Sequence, residues 1–485
     1  MTIVALRIHP AIGIARIGTS EQGFIGPERP WQLAVPPDGR YRDDRGLIKR
    51  QGARFHVYAF EDDGTVRELT AADARITWTV HLANRKAAAP KFHPGREVLR
   101  NSDYPANERA GLIIDAGEHT ISGPDRPAVP LDGGTFTVHG HAPEPVRLGH
   151  IRTDGEGRLV VLGGLGRAGS PTGHRLDDSG DSDEWFDDVS DGFVSATVDI
   201  PGQAGLPPVQ RAWVVVGPPK FAPPVGNVVR LWDTVFDALA SQKAKVAWPS
   251  YVDDIYPVLQ AAYDTGAVIA SARGAHDRFR HPVEAAKLVA DIGRRTAKRG
   301  PGHMPDLNTD DRQSGDLRLT GTQLAMIERW AAGHFTADWP RDAGPSFPEP
   351  GDADTPAGLD KAALENCVGR ALYPGIEAGA FLLERTNYVD DFTVGGEHVS
   401  FRLGPAVRPG DVTAGMSVPW QSDFHACRNN WWPAPRPDQV TTPGQGTQNW
   451  NRGATAVEDF VGGRWARLGF VTRRDGELVE TERTL

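Results

Sequence analysis

The sequence predicts an α+β fold with a β-rich N-terminal half, a helical middle and a loop-rich, aromatic C-terminal module. Three observations lead to this prediction. Short runs of β-branched and aromatic residues fill the chain up to about residue 220. Apolar residues then recur at helical spacing between residues 226 and 335. The 55 Gly and 39 Pro among 485 residues indicate many turns and short elements.

The strands of the first half are separated by Gly, Pro, Asp and Asn, which favour turns. Two strands stand out, Phe193–Ile200 and Ala212–Gly217. The second is a continuous apolar run, typical of a strand buried on both faces, and Pro218 ends it. The other predicted strands of this half are Arg54–Phe60, Ile76–Leu82, Thr135–His139 and Arg158–Leu162.

The middle and the end of the chain follow different patterns. Residues 336–358, rich in Pro, Asp and Gly, predict a loop, and Ala466–Thr472 predicts a last strand. Predicted helices are Val229–Leu239, Tyr251–Tyr263, Val283–Thr296, Thr322–Ala332 and Leu359–Leu372. We therefore divide the chain into a β-rich domain (1–225), a helical segment with a linker (226–358) and a C-terminal module (359–485), packed together as one unit.

Charge and composition exclude several classes of function. A net charge of −10 disfavours nucleic acid as the main partner, because phosphate binding needs a basic face. No apolar run of membrane-spanning length occurs, and the first ten residues lack the pattern of a secretory signal, so we expect a cytoplasmic protein without a membrane span. Only two cysteines, Cys367 and Cys427, are present, which argues against a disulfide framework.

Two motifs suggest ligands that the surrounding sequence does not support. Gly164–Gly169 matches the dinucleotide pattern G-x-G-x-x-G, but Ser170–Gly173 follows where a helix should begin, so we predict a loop without a nucleotide. The acidic run from Asp177 to Asp191 matches no standard cation-binding loop, and a solvated loop is favoured over a structural ion. No zinc, haem or hydrolase motif is present, and we expect no metal site.

The most informative segment is Pro419–Cys427. Asp423 precedes Cys427 by four residues, so a helix would place both on one face. The neighbouring tryptophans are Trp420, Trp431, Trp432, Trp450 and Trp465. The plainest interpretation is a packed aromatic cluster around a buried cysteine. A second is a nucleophilic Cys427, which would need an activating base that the adjacent His425 does not obviously provide.

This segment and further sequence blocks along nearly the whole chain resemble those of one protein family, and the blocks follow one another in the same order as in that family. That family is the cysteine tryptophylquinone oxidases, the LodA-like proteins typified by L-lysine ε-oxidase and glycine oxidase. The matching blocks are His9–Gly18, Phe24–Glu28, Trp185–Gly192, Ala212–Pro223, Cys367–Gly369, Pro374–Glu377, Gly410–Thr413 and Pro419–Phe424.

The resemblance implies a role for particular residues. Cys427 is similar to the cysteine half of the quinone cofactor, Asp423 to the carboxylate needed to make it, and Cys367 to a second cysteine near the site. Trp465 is our first choice for the tryptophan half, because Trp-x-x-Leu-Gly-Phe resembles the family's terminal block. The reserve choices are Trp450 and Trp432. Further candidates for polar roles, each more often a structural residue, are His425, His398 and Tyr388.

The family's chemistry is oxidative deamination. By resemblance, a primary amine forms a Schiff base on the cysteine tryptophylquinone, Asp423 removes a proton, and O₂ reoxidises the cofactor with release of hydrogen peroxide and ammonia. No flavin, NAD or haem is expected in this chain. The resemblance also implies a flavoprotein partner for cofactor formation and a homo-oligomer.

Two departures from the family argue against lysine as the substrate. No lysine follows Lys361, and by comparison with longer members we expect the C-terminal extension that helps form their substrate pocket to be absent. The competing hypothesis is a family member without a cofactor that acts as a binding or scaffold protein.

Overall fold

We describe the fold from a computed structural model. It describes residues 2–91, 98–177, 180–240, 248–269, 274, 319–338, 355–369, 379–389, 401–426 and 436–484. The predicted helix Val283–Thr296 and the site candidates Cys427, Trp432 and His398 lie outside these residues. Within them, no helix combines the length and the apolar character needed to cross a membrane.

Strands dominate the first half of the chain. In chain order they are β1 Ile3–His9, β2 Ile12–Arg16, β3 Gly23–Ile25, β4 Arg50–Glu61, β5 Val66–Leu69, β6 Arg75–Asn84, β7 Ile114–Ser122, β8 Val129–Pro130, β9 Thr135–Phe136, β10 Glu144–Pro145, β11 Gly149–Thr153, β12 Leu159–Gly163, β13 Ala168–Gly169, β14 Phe186–Asp187, β15 Ser190–Asp199, β16 Val209–Gln210, β17 Ala212–Gly217, β18 Gln439–Thr442, β19 Gly446–Asn449, β20 Phe470–Arg474 and β21 Glu477–Thr481.

The helices follow in the second half. They are α1 Leu231–Ala240, α2 Tyr256–Thr265, α3 Gly321–Ala331, α4 Pro356–Glu365, α5 Gly379–Leu382, α6 Trp420–Ala426 and α7 Val457–Val461, with a π-helical turn Tyr251–Ile255 before α2. Short 3₁₀ turns occupy Lys86–Ala88, Arg109–Leu112, Arg385–Asn387 and Arg464–Arg467. The order of strands and helices confirms the predicted α+β class.

One large sheet organises the β-rich half. Its main path runs β7-β6-β15-β17-β2-β4-β12-β11-β8, and β4 also pairs with β1, β3 and β5. The central strand β17 is buried at all six positions, between antiparallel β15 and parallel β2. A strand covered on both faces needs a continuous apolar sequence, which explains why Ala212–Gly217 was predicted with its observed bounds.

The hydrophobic core joins the two ends of the chain. One cluster of buried side chains extends from Ile3 in β1 to Val471 in β20, and it includes Trp213 of the central strand together with Trp420 and Trp465. A second cluster surrounds α2 and α3 and is centred on Tyr251, Ile255, Leu259, Ile327 and Trp330. The C-terminal module therefore packs directly on the sheet.

Several predicted elements have different bounds in the structure, and for three of them hydrogen bonds or neighbouring turns give the reason. The strand predicted at Thr135–His139 ends at Phe136, because the carbonyl of Val138 accepts the His141 N–H in a turn. The strand predicted at Ala466–Thr472 begins only at Phe470, after a 3₁₀ turn. Helix α4 ends at Glu365 rather than Leu372, because the Cys367 carbonyl and the Gly369 N–H pair with the backbone of Leu231 and Val229.

Candidate active site

Helix α6 forms the centre of the candidate site. From Trp420 to Phe424 its residues have no exposed surface, and Asp423 is among them. Helix α6 ends at Ala426, the residue directly before Cys427. Asp423 therefore lies on a helix, in an environment that excludes water.

A buried ion pair holds the N-terminus of α6. The Asp187 carboxylate accepts the Trp420 N–H at 2.8 Å across 233 positions of sequence. The same carboxylate binds the ammonium of Lys86, which also donates to the Ser417 carbonyl at 2.7 Å. Burial lowers the pKa of Lys86, and the neighbouring Asp187 carboxylate opposes this shift. A carboxylate at a helix N-terminus also interacts favourably with the helix dipole.

Loss of this ion pair should cost much of the protein's stability. We expect Lys86→Met to lower the free energy of unfolding by about 3–5 kcal/mol, because it leaves the Asp187 charge buried without its partner. Urea denaturation measures the difference. Lys91→Met is the matched control, because Lys91 forms a partly exposed pair with Asp183 at 3.2 Å, and such pairs contribute about 1 kcal/mol or less. Equal effects of the two substitutions would contradict the assignment.

Trp465 packs against α6 from a separate segment. It lies in the 3₁₀ turn Arg464–Arg467, is 2% exposed, and its ring centroid is 4.8 Å from that of Trp420. The buried guanidinium of Arg42 fixes this turn by donating to the carbonyls of Ala466 at 2.6 Å and Leu468 at 2.7 Å. The contact with Arg42 explains why the predicted strand at Ala466 is a turn instead.

The glycine-rich segment Gly164–Gly169 contacts the other side of Trp465. Gly166 has φ +82°, and a Cβ there would lie 2.4 Å from Cζ2 and 2.8 Å from Cη2 of the Trp465 ring. The Gln421 side chain of α6 donates to the Gly166 carbonyl at 3.2 Å. The segment is a loop, as predicted, except for the two-residue strand β13 at its end, and Gly166 allows close packing on the indole.

The Asp188 side chain binds the backbone of the same Gly164–Gly169 loop. Its Oδ2 accepts the N–H groups of Gly166 at 2.8 Å and Arg167 at 2.9 Å. Within the described residues its Oδ1 has no hydrogen-bond partner. Burial raises the pKa of Asp188 to about 7, and the nearby Asp187 carboxylate adds to the shift. Asp188 was recognisable in the sequence only as part of an acidic run and of the block Trp185–Gly192, and no sequence pattern pointed to Lys86.

Asp188 should make stability depend on pH. Its pKa is about 7 in the folded protein and has an ordinary value of 3.8. Between pH 3.8 and pH 7 the folded state therefore binds more protons than the unfolded state, and the free energy of unfolding falls as pH rises through this range. The loss is about 4 kcal/mol for this shift. Asp188→Asn has no charge to titrate, so its stability relative to the unsubstituted protein should improve from pH 4 to pH 7.

Urea denaturation at several pH values tests this expectation. Asp63→Asn is the control, because Asp63 is an exposed turn residue whose pKa is lowered by hydrogen bonds from Thr65. The stability that this lowered pKa provides is lost only as pH falls below the ordinary value of 3.8, so the difference between Asp63→Asn and the parent should stay nearly constant from pH 4 to pH 7. A difference between Asp188→Asn and the parent that stays constant over this range would disprove the expected titration.

The other predicted residues occupy different surroundings. Trp450 is fully buried, donates its indole N–H to the Gly469 carbonyl at 2.8 Å and packs 5.0 Å from Phe221. Cys367 is buried, and Arg16 donates to its Sγ at 3.4 Å.

The two described candidates for polar roles bind backbone carbonyls. Tyr388 donates to the Leu382 carbonyl at 2.7 Å, and the His425 ring lies 3.1 Å from the Thr455 carbonyl. Thus Trp465 packs on the helix that carries Asp423, while Cys367 contacts Arg16 at the end of β2.

The acidic run serves the fold around this site. Its buried members bind protein partners: Asp181 binds Arg100, and Asp191 accepts hydrogen bonds from Trp213 and from the Thr413 backbone and hydroxyl. Among the described residues, no group of three or more His, Cys, Asp or Glu side chains is arranged to hold a metal ion. The run is therefore a set of structural anchors and only partly the solvated loop that its sequence favoured.

Comparison with known proteins identifies the family. A profile of the L-lysine ε-oxidase N-terminal region matches residues 9–216, and a profile of the L-lysine ε-oxidase C-terminal domain matches residues 301–450. The chain belongs to the L-lysine ε-oxidase family. The L-lysine 6-oxidase of Marinomonas mediterranea is 29% identical to it over 542 residues, which cover 87% of this chain and 71% of that protein.

Solved structures agree with the family assignment. A structure of the Marinomonas mediterranea ε-lysine oxidase matches with a TM-score of 0.78 at 25% identity, covering 99% of this chain and 95% of that one. The Schiff base intermediate of that enzyme with L-Lys matches with a TM-score of 0.77 at 23% identity, with the same coverage of the two chains. This member of the L-lysine ε-oxidase family is therefore an amino-acid oxidase, as its sequence motifs indicated. The C-terminal profile match includes Asp423 and Cys427 and ends before Trp465.

Proposed function

We propose that this amino-acid oxidase forms a cysteine tryptophylquinone from Cys427 and Trp465. With it, the enzyme would deaminate the primary amine of an amino acid or of a substrate derived from one. The observation that carries the proposal is the packing of Trp465 on Trp420, 4.8 Å between ring centroids, at the start of the helix that ends one residue before Cys427. A thioether between Cys427 and Trp465 requires the segment that carries Trp465 to lie against the segment that carries the cysteine, and this contact between Trp465 and α6 supports that arrangement.

The surroundings of Trp465 suit an oxidised indole. An ortho-quinone needs two adjacent ring carbons that can each accept an oxygen atom. Gly166 faces two adjacent carbons, Cζ2 and Cη2, and its missing side chain leaves room that a Cβ would fill. Trp450 lacks this feature, because Phe221, Phe424 and the guanidinium of Arg436 surround its ring.

A methyl group at position 166 should therefore interfere with cofactor formation. We expect Gly166→Ala to yield at least about tenfold less cross-linked protein, because sub-van-der-Waals contact with the ring displaces one of the two groups. Gly173→Ala is the matched control: Gly173 also has positive φ, +68°, but a Cβ there meets nothing within 4 Å. Peptide mass mapping of both variants measures the cross-link. Equal losses would show that backbone strain alone is responsible.

The roles of the protein's own side chains follow from their positions. When formed, the quinone supplies the electron sink that ordinary side chains lack, and O₂ is the final acceptor, with hydrogen peroxide and ammonia as products. Asp423 is buried on α6 and is our candidate to accept the substrate proton at its carboxylate. Trp420, Phe424 and Phe221 exclude water from this region, while Asp187 and Lys86 fix the orientation of α6.

Family membership supports two further parts of the proposal. The cofactor would form with the help of a flavoprotein partner, and the mature enzyme would be a homo-oligomer. The proposed function is tested by producing the chain together with such a flavoprotein and measuring hydrogen peroxide and ammonia with a panel of amino acids and amines. Equal yields of the two products from at least one amine, absent in Cys427→Ser, are expected. No product from any amine would favour the scaffold hypothesis.

A further inference from the structure

A small cavity away from α6 is lined by a buried side-chain amide that has no hydrogen-bond partner among the described residues. It has a volume of about 60 Å³ and lies between the segment before α1, the start of α2 and the end of α4. Its lining includes Asn227, Arg230, Glu365, Lys220 and Trp31. None of Trp420, Asp423 and Trp465 lines it. Because Trp31 is itself partly exposed, the cavity reaches the protein surface there.

Asn227 is the most unusual residue of this cavity. Its side chain is 1% exposed, and within the described part of the chain neither its Oδ1 nor its Nδ2 has a hydrogen-bond partner. A buried amide without partners is costly, and most such groups bind water or a ligand. Two more buried groups are incompletely satisfied: Nη1 of Arg230 and Oε2 of Glu365 form an ion pair at 3.5 Å, but neither makes a hydrogen bond within the described residues.

The remaining contacts keep these groups in place. The Arg230 guanidinium donates from Nε at 2.9 Å and from Nη2 at 2.8 Å to Asp233, so its Nη1 is left with only the longer ion pair to Glu365. Glu365 accepts the Trp31 N–H on Oε1, which leaves Oε2 towards Arg230. Trp31 has φ +69°, an uncommon conformation for a bulky residue, and such strained residues cluster at ligand-binding positions.

These observations point to a small zwitterion. The cavity offers donors from Asn227 Nδ2 and Arg230 Nη1 and acceptors from Asn227 Oδ1 and Glu365 Oε2. A carboxylate suits the donors and an ammonium suits the acceptors. At roughly 10–15 Å³ for each water-sized group, the volume corresponds to about four to six such groups. Glycine and alanine have this size and this charge pattern.

We propose that this cavity is a second binding site for a small α-amino acid. The ligand carboxylate binds Asn227 Nδ2 and Arg230 Nη1, and its ammonium binds Glu365 Oε2. Lys220, which lines the cavity, directly precedes Phe221, and the ring centroid of Phe221 lies 6.0 Å from that of Phe424 in α6, so the two sites are neighbours in the chain. The binding site does not depend on the proposed cofactor.

Calorimetric titration of the full-length chain tests the proposal. Cys427→Ser is the background, because a chain that cannot form the cofactor cannot consume the ligand. Glycine and alanine should bind, while acetate and methylamine, which carry one charge each, should bind at least about tenfold more weakly. Asn227→Leu, which has a similar volume and no polar atoms, should weaken glycine binding by about tenfold or more.

A second variant guards against misfolding of the first. Glu365→Gln keeps an acceptor for the Trp31 N–H but removes the negative charge opposite the ammonium, so it should also weaken glycine binding by about tenfold. Absence of glycine binding at millimolar concentration, or unchanged binding in both variants, would show that the cavity holds water only and would overturn the proposal.

Discussion

Trp465→Phe is expected to abolish both the cross-link to Cys427 and oxidase activity, without unfolding the protein. Phenylalanine can still pack against Trp420 and beside Gly166, so the core is largely preserved. A benzene ring attached directly to Cβ cannot replace the indole that becomes the quinone. We therefore expect no visible quinone absorption and no peroxide release above background from a folded variant produced together with the flavoprotein.

The control for this experiment is Trp450→Phe. The Trp450 ring is also fully buried and also in contact with aromatic neighbours, but it loses only the hydrogen bond to the Gly469 carbonyl and some packing. The expected cost is about 1–3 kcal/mol of stability, with the cross-link retained. If Trp450→Phe loses the cofactor and Trp465→Phe keeps it, the assignment to Trp465 is wrong. Loss in neither variant would move the assignment to Trp432.

Asp423→Asn is expected to reduce turnover by about 10²–10⁴-fold, the range associated with a general base. Asparagine has nearly the same shape and can keep accepting hydrogen bonds at Oδ1, but it cannot take a proton. If Asp423 is also needed to form the cofactor, the variant will lack the quinone as well. Mass analysis of the variant therefore separates a defect in cofactor formation from a defect in turnover.

Ser422→Ala is the matched control on the same helix. Ser422 has no exposed surface, and its hydroxyl makes no hydrogen bond among the described residues. Removing the hydroxyl should therefore change stability and turnover little. Wild-type turnover in Asp423→Asn, measured on a fully cross-linked preparation, would eliminate Asp423 as the base.

Local sequence predicted the elements whose pattern is determined by burial. Ala212–Gly217 is apolar throughout because the sheet covers both of its faces, and its bounds were correct. The terminal strand and helix α4 were misplaced because their ends are set by distant groups. Arg42 fixes the turn at Ala466 across 424 positions, and the chain after Glu365 pairs with the backbone beside Leu231. Local periodicity contains no information about such contacts.

In the candidate site, too, some features follow from local sequence and others depend on contacts between distant residues. The spacing between Asp423 and Cys427 indicated only that a helix would place both on one face; no helix was predicted there, and α6 is a finding of the structure. The Lys86–Asp187 ion pair that holds α6 joins residues 101 positions apart, and Gly166 meets Trp465 through a loop whose motif suggested a nucleotide. Only the folded chain brings these groups together. Asp188 was similarly hidden in an acidic run, where its burial could not be distinguished from solvent exposure.

The most direct test of the central claim is the mass of the protein produced with its flavoprotein partner, measured intact and after trypsin digestion. We predict a gain of two oxygen atoms, a loss of four hydrogen atoms and a cross-linked peptide that joins Cys427 to Trp465. An unmodified mass, or a free Cys427 thiol detected by titration, would contradict the proposed cofactor.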